Sequence, residues 1–286
     1  MERINYVIAT YAGKGTKAHI ESKEKALKIH CQRLSMFKNN LKSITIMRAN
    51  DEKTKDPDNV YTGYYDIEEY TKNIKPSPRI IDCENYCYSF GQWLYCYEQT
   101  IGQYDYYIFQ EDDYVPNVDN FDTIYMDTYK EKFPDDIGLL CGMLLGIPNR
   151  LSHIPLHVSA PIIVSSKTLK MVYENHMWNR NPRKVLSAIH IFDNFFTEKE
   201  RKTFAKYKQG SGAYYQVGFS MLFSKIGIPC NDILEKGDTI FLYWDDKTKL
   251  IYLYTYEKGK IPLKSKDFKK LKSKTYFLPF QRERLN

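Results

Sequence analysis

The stretch INYVIAT, Ile4–Thr10, decides the fold class of this chain. Its nearly continuous apolar run is typical of a strand in a sheet that is covered on both faces. After a loop with two glycines (YAGKGTK, 11–17), residues 18–40 contain no Gly or Pro and repeat apolar side chains at helical spacing. SITIM (43–47) then predicts a second strand. Strand, helix and strand in this order predict an α/β fold with a parallel sheet and a right-handed crossover.

The alternation of strands and helices continues to about residue 235. A polar loop is predicted from Arg48 to Pro78, a helix from Tyr86 to Ile101 and another around Lys167 to Glu174. Further strands are predicted at 79–83, 106–110, 137–147 and within 157–169. We therefore expect residues 1–235 to form one Rossmann-like domain, with a mostly parallel central sheet flanked by helices.

Residues 236–286 are predicted to form a β-hairpin and a basic tail packed on the same domain. TIFLYW (239–244) and LIYLYTY (250–256) flank the turn DDKTK. Residues 258–274 hold eight lysines against one acid, Asp267, and so account for the whole net charge of +7. This segment is expected either to contact an anionic membrane surface or to form a solvated lysine face. Because no basic stripe lies in the folded region, we expect no nucleic-acid partner.

The apolar segments of the sequence are all short. None approaches the roughly 18 residues of a membrane span, and the stretch near the N-terminus is too short for the core of a signal peptide. We therefore expect a soluble, cytoplasmic protein.

The predicted strand in DYYIFQEDDYVP (105–116) ends in three adjacent carboxylates, Glu111, Asp112 and Asp113. Because like charges repel, either something offsets this repulsion or the segment lies in solvent. Ligands of open α/β sheets bind outside the carboxyl ends of the strands, and the first two predicted strands end near Tyr11 and Asn50. If these ends converge, the carboxylates suit Mn²⁺ or Mg²⁺, which prefer oxygen ligands and often add the phosphates of a substrate.

Residues 4–230 resemble the GT-A glycosyltransferases, in particular family-2-like enzymes that depend on nucleotide-sugars. YVIATY (6–11) is similar to the first, nucleotide-binding strand of that family. CENYCYSFGQWLYCYEQTIGQYDYYIFQEDDYVP (83–116) is similar to its helix and the acidic strand end that follows, with E-D-D in the place of D-x-D. The resemblance implies a GT-A-like fold and the transfer of a sugar from a nucleoside-diphosphate sugar to a hydroxyl of a glycan acceptor, with a UDP-sugar as the expected donor.

Carried over by position, the resemblance implies a role for each residue of the acidic motif. Glu111 and Asp113 occupy its outer positions and would hold Mn²⁺ or Mg²⁺. Asp112 would either orient the ribose or hold these two ligands in place without binding the metal itself. The metal would bridge the diphosphate and stabilise the charge on the leaving nucleotide. The nucleotide would lie against the ends of the first two strands, at Thr10, Tyr11, Ala12, Asn50 and Asp51.

A catalytic base is needed if the reaction inverts the anomeric centre. The Glu-Asp pair that often supplies this base in the family is absent, and YYQVGFS (214–220) stands at the corresponding place. Asp193, among apolar neighbours in IHIFDNFF, is the first candidate, and Asp232 is the second. A retaining reaction would need no such base, so the stereochemistry stays open.

Two alternative functions remain open. AGKGTK (12–17) also resembles the glycine-rich loop of sugar-nucleotide pyrophosphorylases, whose backbone amides cradle a triphosphate. No Pro-Lys pair follows in residues 18–30, as it usually does in those enzymes. A sugar-nucleotide nucleotidyltransferase is the first alternative, and a non-catalytic carbohydrate-binding protein of the same fold, which would bind no metal, is the second.

Overall fold

The structure is a computed structural model that describes residues 2–11, 17–50, 67–85, 88–145, 157–177, 216, 219–220, 222–223, 226–232, 241–245, 250–255, 259–263, 276–277 and 280–282. Its helices are α1 (Lys17–Met36), α2 (Ile67–Thr71), α3 (Tyr88–Gln99), α4 (Phe121–Lys132) and α5 (Ser166–Val172), the last continued by a π-helical turn at Tyr173–Met177. Its strands are β1 (Ile4–Tyr11), β2 (Ser43–Asn50), β3 (Arg79–Glu84), β4 (Tyr106–Glu111), β5 (Tyr114–Pro116), β6 (Leu139–Leu145), β7 (His157–Ser165), β8 (Cys230–Asp232), β9 (Phe241–Asp245), β10 (Leu250–Thr255), β11 (Gly259–Leu263), β12 (Tyr276–Phe277) and β13 (Phe280–Arg282).

A seven-stranded mixed sheet forms the centre of the fold, in the order β3-β2-β1-β4-β7-β6-β8. The strands β3, β2, β1 and β4 are parallel to one another, β7 runs antiparallel to its neighbours β4 and β6, and β8 is parallel to β6. The chain therefore has a Rossmann-like α/β fold, and the predicted mostly parallel sheet is confirmed. The strand order reverses between β1 and β4, because β1 is followed by β2 on one side and β4 joins on the other.

Helices cover both faces of the sheet, as the apolar run of β1 predicts. Tyr6 and Ile8 belong to the core cluster that includes side chains of α1 and α4. Val7 and Ala9 belong to the cluster on the other side, which includes side chains of α3 and α5. All four residues are buried. None of the helices in the described ranges is long and apolar enough to cross a membrane.

The prediction of a polar loop from Arg48 to Pro78 is wrong at two places. β2 continues to Asn50, since its last residues pair with β3 and the Arg48 guanidinium binds the Asp82 carboxylate, with Nε 2.6 Å from Oδ1. α2 also lies inside the predicted loop, and it buries Ile67 against the core cluster of α1. The sequence pattern did not predict either element, because a charged residue near the end of a strand and a helix of five residues leave little periodicity.

The predicted C-terminal hairpin is confirmed by β9 and β10, which pair antiparallel. The strand β11 (259–263) extends it to three strands, so part of the predicted basic tail is a strand. β12 and β13 form a second small sheet with β5, in which Arg282 pairs with Tyr114. The chain after residue 276 therefore returns to the segment that follows the acidic motif, which the sequence did not predict.

Gly142 lies where β6 approaches β7 too closely for a side chain. A Cβ atom there would lie 2.7 Å from the Ala160 carbonyl oxygen and 2.7 Å from Pro161 Cδ, next to a shift of register. Because a backbone oxygen cannot move aside as a flexible side chain can, we expect Gly142→Ala to lower the free energy of unfolding by about 1–3 kcal/mol. Urea denaturation measures this loss.

The control for the glycine substitution is Ile124→Ala, on an exposed position of α4, where a change within about 0.5 kcal/mol is expected. A Gly142→Ala protein as stable as the wild type would show that β6 and β7 separate locally at little cost, and would contradict the tight packing of these strands.

Candidate functional site

The carboxyl ends of β1 to β4 lie at one edge of the sheet, since these four strands are parallel. Ala9 of β1 pairs with Glu111 at the end of β4, so Thr10 and Tyr11 extend beside the residues that follow Glu111. Ligands of doubly wound sheets bind where the strand order reverses, and here this place lies between β1 and β4. The predicted convergence of these two strand ends is therefore confirmed.

Glu111, Asp112 and Asp113 connect β4 to β5 and are called here the acidic turn. Asp112 is only 1% exposed, whereas Glu111 and Asp113 are half-buried. The acidic turn thus keeps one carboxylate inside the protein and leaves its two outer carboxylates partly accessible.

The buried Asp112 carboxylate is held by an ammonium group and a hydroxyl. Lys23 of α1 places its Nζ 2.8 Å from Oδ1, and the Thr10 hydroxyl donates to Oδ2 at 3.3 Å. Burial raises the pKa of Asp112 and Lys23 opposes this, while the Asp112 carboxylate is the main cause of a raised pKa of Lys23. Part of the repulsion among the three carboxylates is therefore offset by a side chain of the protein itself.

His30 of α1 binds the backbone of the acidic turn. Its Nδ1 lies 3.2 Å from the Asp112 carbonyl oxygen and its Nε2 lies 2.8 Å from the Tyr6 hydroxyl. A carbonyl oxygen can only accept, so Nδ1 carries the proton and Nε2 accepts from Tyr6. Burial lowers the pKa of His30 to about 4, and the ring is therefore neutral at physiological pH.

The start of α3 contacts the other side of the acidic turn. The Ser89 hydroxyl donates to Glu111 Oε1 at 2.7 Å, which orients this carboxylate. One turn further along α3, the buried Trp93 indole donates to the Gln110 carbonyl oxygen at 3.0 Å and its ring stacks on Phe109. Side chains from α1 and α3 therefore fix the end of β4 from both faces of the sheet.

Among the residues predicted to contact a nucleotide, those that the structure describes lie at the same edge of the sheet. Tyr11 is half-buried at the end of β1, and Asn50 is the last residue of β2. Thr10 is 1% exposed and its hydroxyl contacts Asp112, so its side chain is engaged inside the protein. Ala12 and Asp51 lie outside the described residues.

No described contact places either of the two predicted catalytic bases at the acidic turn. Asp193 lies outside the described residues. Asp232 ends β8, whose direction places this end at the same edge of the sheet, but three strands from β4. With about 4.8 Å between neighbouring strands, that separation is about 14 Å. Within the described ranges, no group of three or more His, Cys, Asp and Glu side chains is arranged to hold a metal ion.

Lys23, His30 and Ser89 are the site residues that sequence reasoning missed. Lys23 lies four residues before Leu27, and His30 three after it, so both follow the apolar stripe of α1. A basic residue and an imidazole on the buried stripe of a helix are the sequence signal that could have identified them. Ser89 left no comparable signal.

Comparisons with known proteins give a structural likeness without a match in sequence. No family model matches the sequence, and no curated protein matches it. Solved structures do match, among them a 4-diphosphocytidyl-2C-methyl-D-erythritol synthase from Anaerococcus prevotii, with 11% sequence identity, a TM-score of 0.40, and coverage of 73% of this chain and 84% of that chain. A likeness this distant says nothing about a ligand or a reaction.

Proposed function

We propose that this chain is a metal-dependent glycosyltransferase of the GT-A type. It would move a sugar from a nucleoside-diphosphate sugar, with uridine as the expected nucleoside, to a hydroxyl of a glycan acceptor. The observation that supports this most is the acidic turn at the reversal of strand order, beside the end of β1. A nucleotide bound across β1 and β4 would place its diphosphate next to Glu111 and Asp113.

The two outer carboxylates of the acidic turn fit a hard divalent cation. Glu111 and Asp113 are half-buried, separated by one residue, and oxygen donors. Mg²⁺ and Mn²⁺ commonly take one or two carboxylates and complete their shell with water and phosphate oxygens. When bound, the ion would neutralise the charge that develops on the leaving nucleoside diphosphate.

The remaining residues of the site would position these carboxylates and the donor. Ser89 orients Glu111 by donating a hydrogen bond to it. The burial of Asp112 favours the second of its two predicted roles, which is to hold the metal ligands in place rather than to contact the ribose. Tyr11, Ala12, Asn50 and Asp51 remain the residues proposed to contact base and ribose. If the reaction inverts the anomeric centre, Asp193 and then Asp232 remain the proposed bases.

Calorimetric titration of UDP in Mn²⁺ and in EDTA tests the proposed donor site. Wild-type protein is expected to bind UDP more tightly in Mn²⁺, and Asp113→Ala is expected to weaken the Mn²⁺-supported binding at least about tenfold, since it removes a charged ligand. Asp127→Ala, on an exposed position of α4, is the matched control and should leave the binding unchanged.

Three results would count against the proposed donor site. They are no UDP binding by folded wild-type protein, no effect of Mn²⁺, or an unchanged effect of Mn²⁺ in Asp113→Ala. If UDP binds with Mn²⁺, hydrolysis of UDP-sugars then identifies the sugar. Release of pyrophosphate from a nucleoside triphosphate in the presence of a sugar phosphate would instead establish the nucleotidyltransferase, and binding of glycan without nucleotide or metal would establish the carbohydrate-binding protein.

A further inference from the structure

Lys23 of α1 places its ammonium group against the acidic turn. Its Nζ lies 2.8 Å from Asp112 Oδ1, and the charges of Asp113 and Glu111 also act on it. These carboxylates, with Asp112 first, raise the pKa of Lys23, so the ammonium keeps its charge across the physiological range. With Lys23 included, the three negative charges of the acidic turn sum to a net charge of minus two.

The two partners of this ion pair differ in their exposure. The Asp112 side chain is 2% exposed, whereas the Lys23 side chain is 32% exposed. Full burial of an ammonium group costs its hydration, and an ion pair repays that cost only where the remaining N–H donors are satisfied inside the protein. An ammonium group carries three N–H donors, and Asp112 Oδ1 accepts one of them.

Lys25 and Lys28 of α1 do not share this setting. Lys25 is exposed, and Lys28 pairs with Glu24 on the same helix, one turn away. Lys23 is thus held by a buried carboxylate at the edge of the sheet where β1 and β4 end, and its side chain stays partly exposed.

We propose that Lys23 binds phosphate oxygens of the nucleotide donor, so that the site holds a diphosphate with a fixed ammonium group as well as with a metal ion. This inference rests on the proposed function, because it assigns a residue to the donor site of that function. Asp112 is then the positioning residue that fixes the ammonium, and Thr10 fixes Asp112.

This role predicts two effects of opposite sign when the ammonium is removed. Phosphate ligands lose a charge-assisted hydrogen bond and bind more weakly. A divalent cation at Glu111 and Asp113 loses a neighbouring positive charge, so the ion alone binds more tightly. A lysine that only stabilised the fold would weaken both ligands together, because the whole acidic turn would be disturbed.

The test compares Lys23→Met with two further variants by calorimetry, using pyrophosphate, UDP and Mn²⁺ as separate ligands. Lys25→Met is the control for loss of a lysine from α1. Lys23→Met leaves Asp112 buried without its cation, which threatens folding, so Lys23→Met combined with Asp112→Asn is the second variant. The double variant removes one charge of each sign and keeps the net charge of the site.

In Lys23→Met, pyrophosphate and UDP in EDTA are expected to bind at least about tenfold more weakly, and Mn²⁺ alone severalfold more tightly. In the double variant, Mn²⁺ affinity should return to that of the wild type while pyrophosphate binding stays weak. Lys25→Met should match the wild type for all three ligands.

Pyrophosphate separates the failure of this inference from the failure of the proposed function. If the wild type binds UDP with Mn²⁺ but the double variant binds pyrophosphate and UDP as the wild type does, the role of Lys23 is wrong and the proposed function stands. If pyrophosphate binds through Lys23 but UDP binds no better than pyrophosphate, the proposed nucleotide site is wrong and the role of Lys23 stands. A wild-type protein that binds no pyrophosphate overturns the role of Lys23.

Discussion

Replacing Trp93 with alanine is expected to lower the free energy of unfolding by about 3–5 kcal/mol. Trp93 is fully buried in the middle of α3. Its ring stacks on Phe109 of β4, with centroids 5.6 Å apart and planes 10° apart, and it packs edge-on against Phe90 and Phe219. Alanine would leave a cavity between α3 and the sheet and would also remove the indole N–H that donates to the Gln110 carbonyl oxygen.

The matched control for this substitution is Trp93→Phe, which keeps an aromatic ring on Phe109 but loses the indole donor. We expect it to cost less than half as much as alanine, because most of the apolar volume remains. Denaturant unfolding should be followed by far-UV circular dichroism, since the substitution removes one of only three tryptophans and changes the fluorescence signal itself. Equal stabilities of Trp93→Ala and the wild type would contradict the packing of α3 on β4.

The central sheet could be predicted because its strands carry their own local signal. The residues Tyr6–Ala9 are apolar on both faces of β1, and the structure buries them under helices on both sides. α1 was equally visible, since Leu27, Cys31 and Leu34 recur at helical spacing and all three are buried. Signals of this kind depend only on residues within one element.

The support of the acidic turn could not be predicted in the same way. Lys23 and His30 lie on the apolar stripe of α1, but their partner Asp112 follows 89 and 82 residues later. A lysine on a helix is ordinarily assigned to solvent, because its long side chain can reach past an apolar face. The identity of its partner depends on how α1 packs on the sheet, and that packing is not written in any local pattern.

The small sheet of β5, β12 and β13 shows the same limit for the backbone. β5 and β13 have three residues each and β12 has two, which is too short for alternation to be recognised. The pairing of Arg282 with Tyr114 joins two segments that are far apart in the chain. Hydrophobic periodicity predicted the large sheet, while these short pairings follow only from the assembled fold.

Lowering the pH from 6.5 to 4 is expected to reduce the free energy of unfolding by about 3 kcal/mol through His30 alone. The ring is buried, and this lowers its pKa from the usual 6.5 to about 4, against smaller opposing effects of the Asp112 carbonyl and the Asp113 charge. Between these two pH values the unfolded chain binds a proton at this histidine and the folded chain does not. Protonation therefore favours the unfolded chain increasingly as the pH falls, and the contribution of His30 levels off once the folded ring is protonated as well, as the pH passes below about 4.

Carboxylates also titrate in this range, so the test is the difference between the wild type and His30→Gln in urea denaturation from pH 7 to 4. Glutamine can still donate to the Asp112 carbonyl oxygen and accept from Tyr6, but it cannot take up a proton. We expect the variant to be less stable near pH 7 and to lose less stability on acidification, so that the two curves approach each other as the pH falls. Parallel curves would show that His30 titrates alike in both states, and would contradict a neutral ring sealed between Tyr6 and the acidic turn.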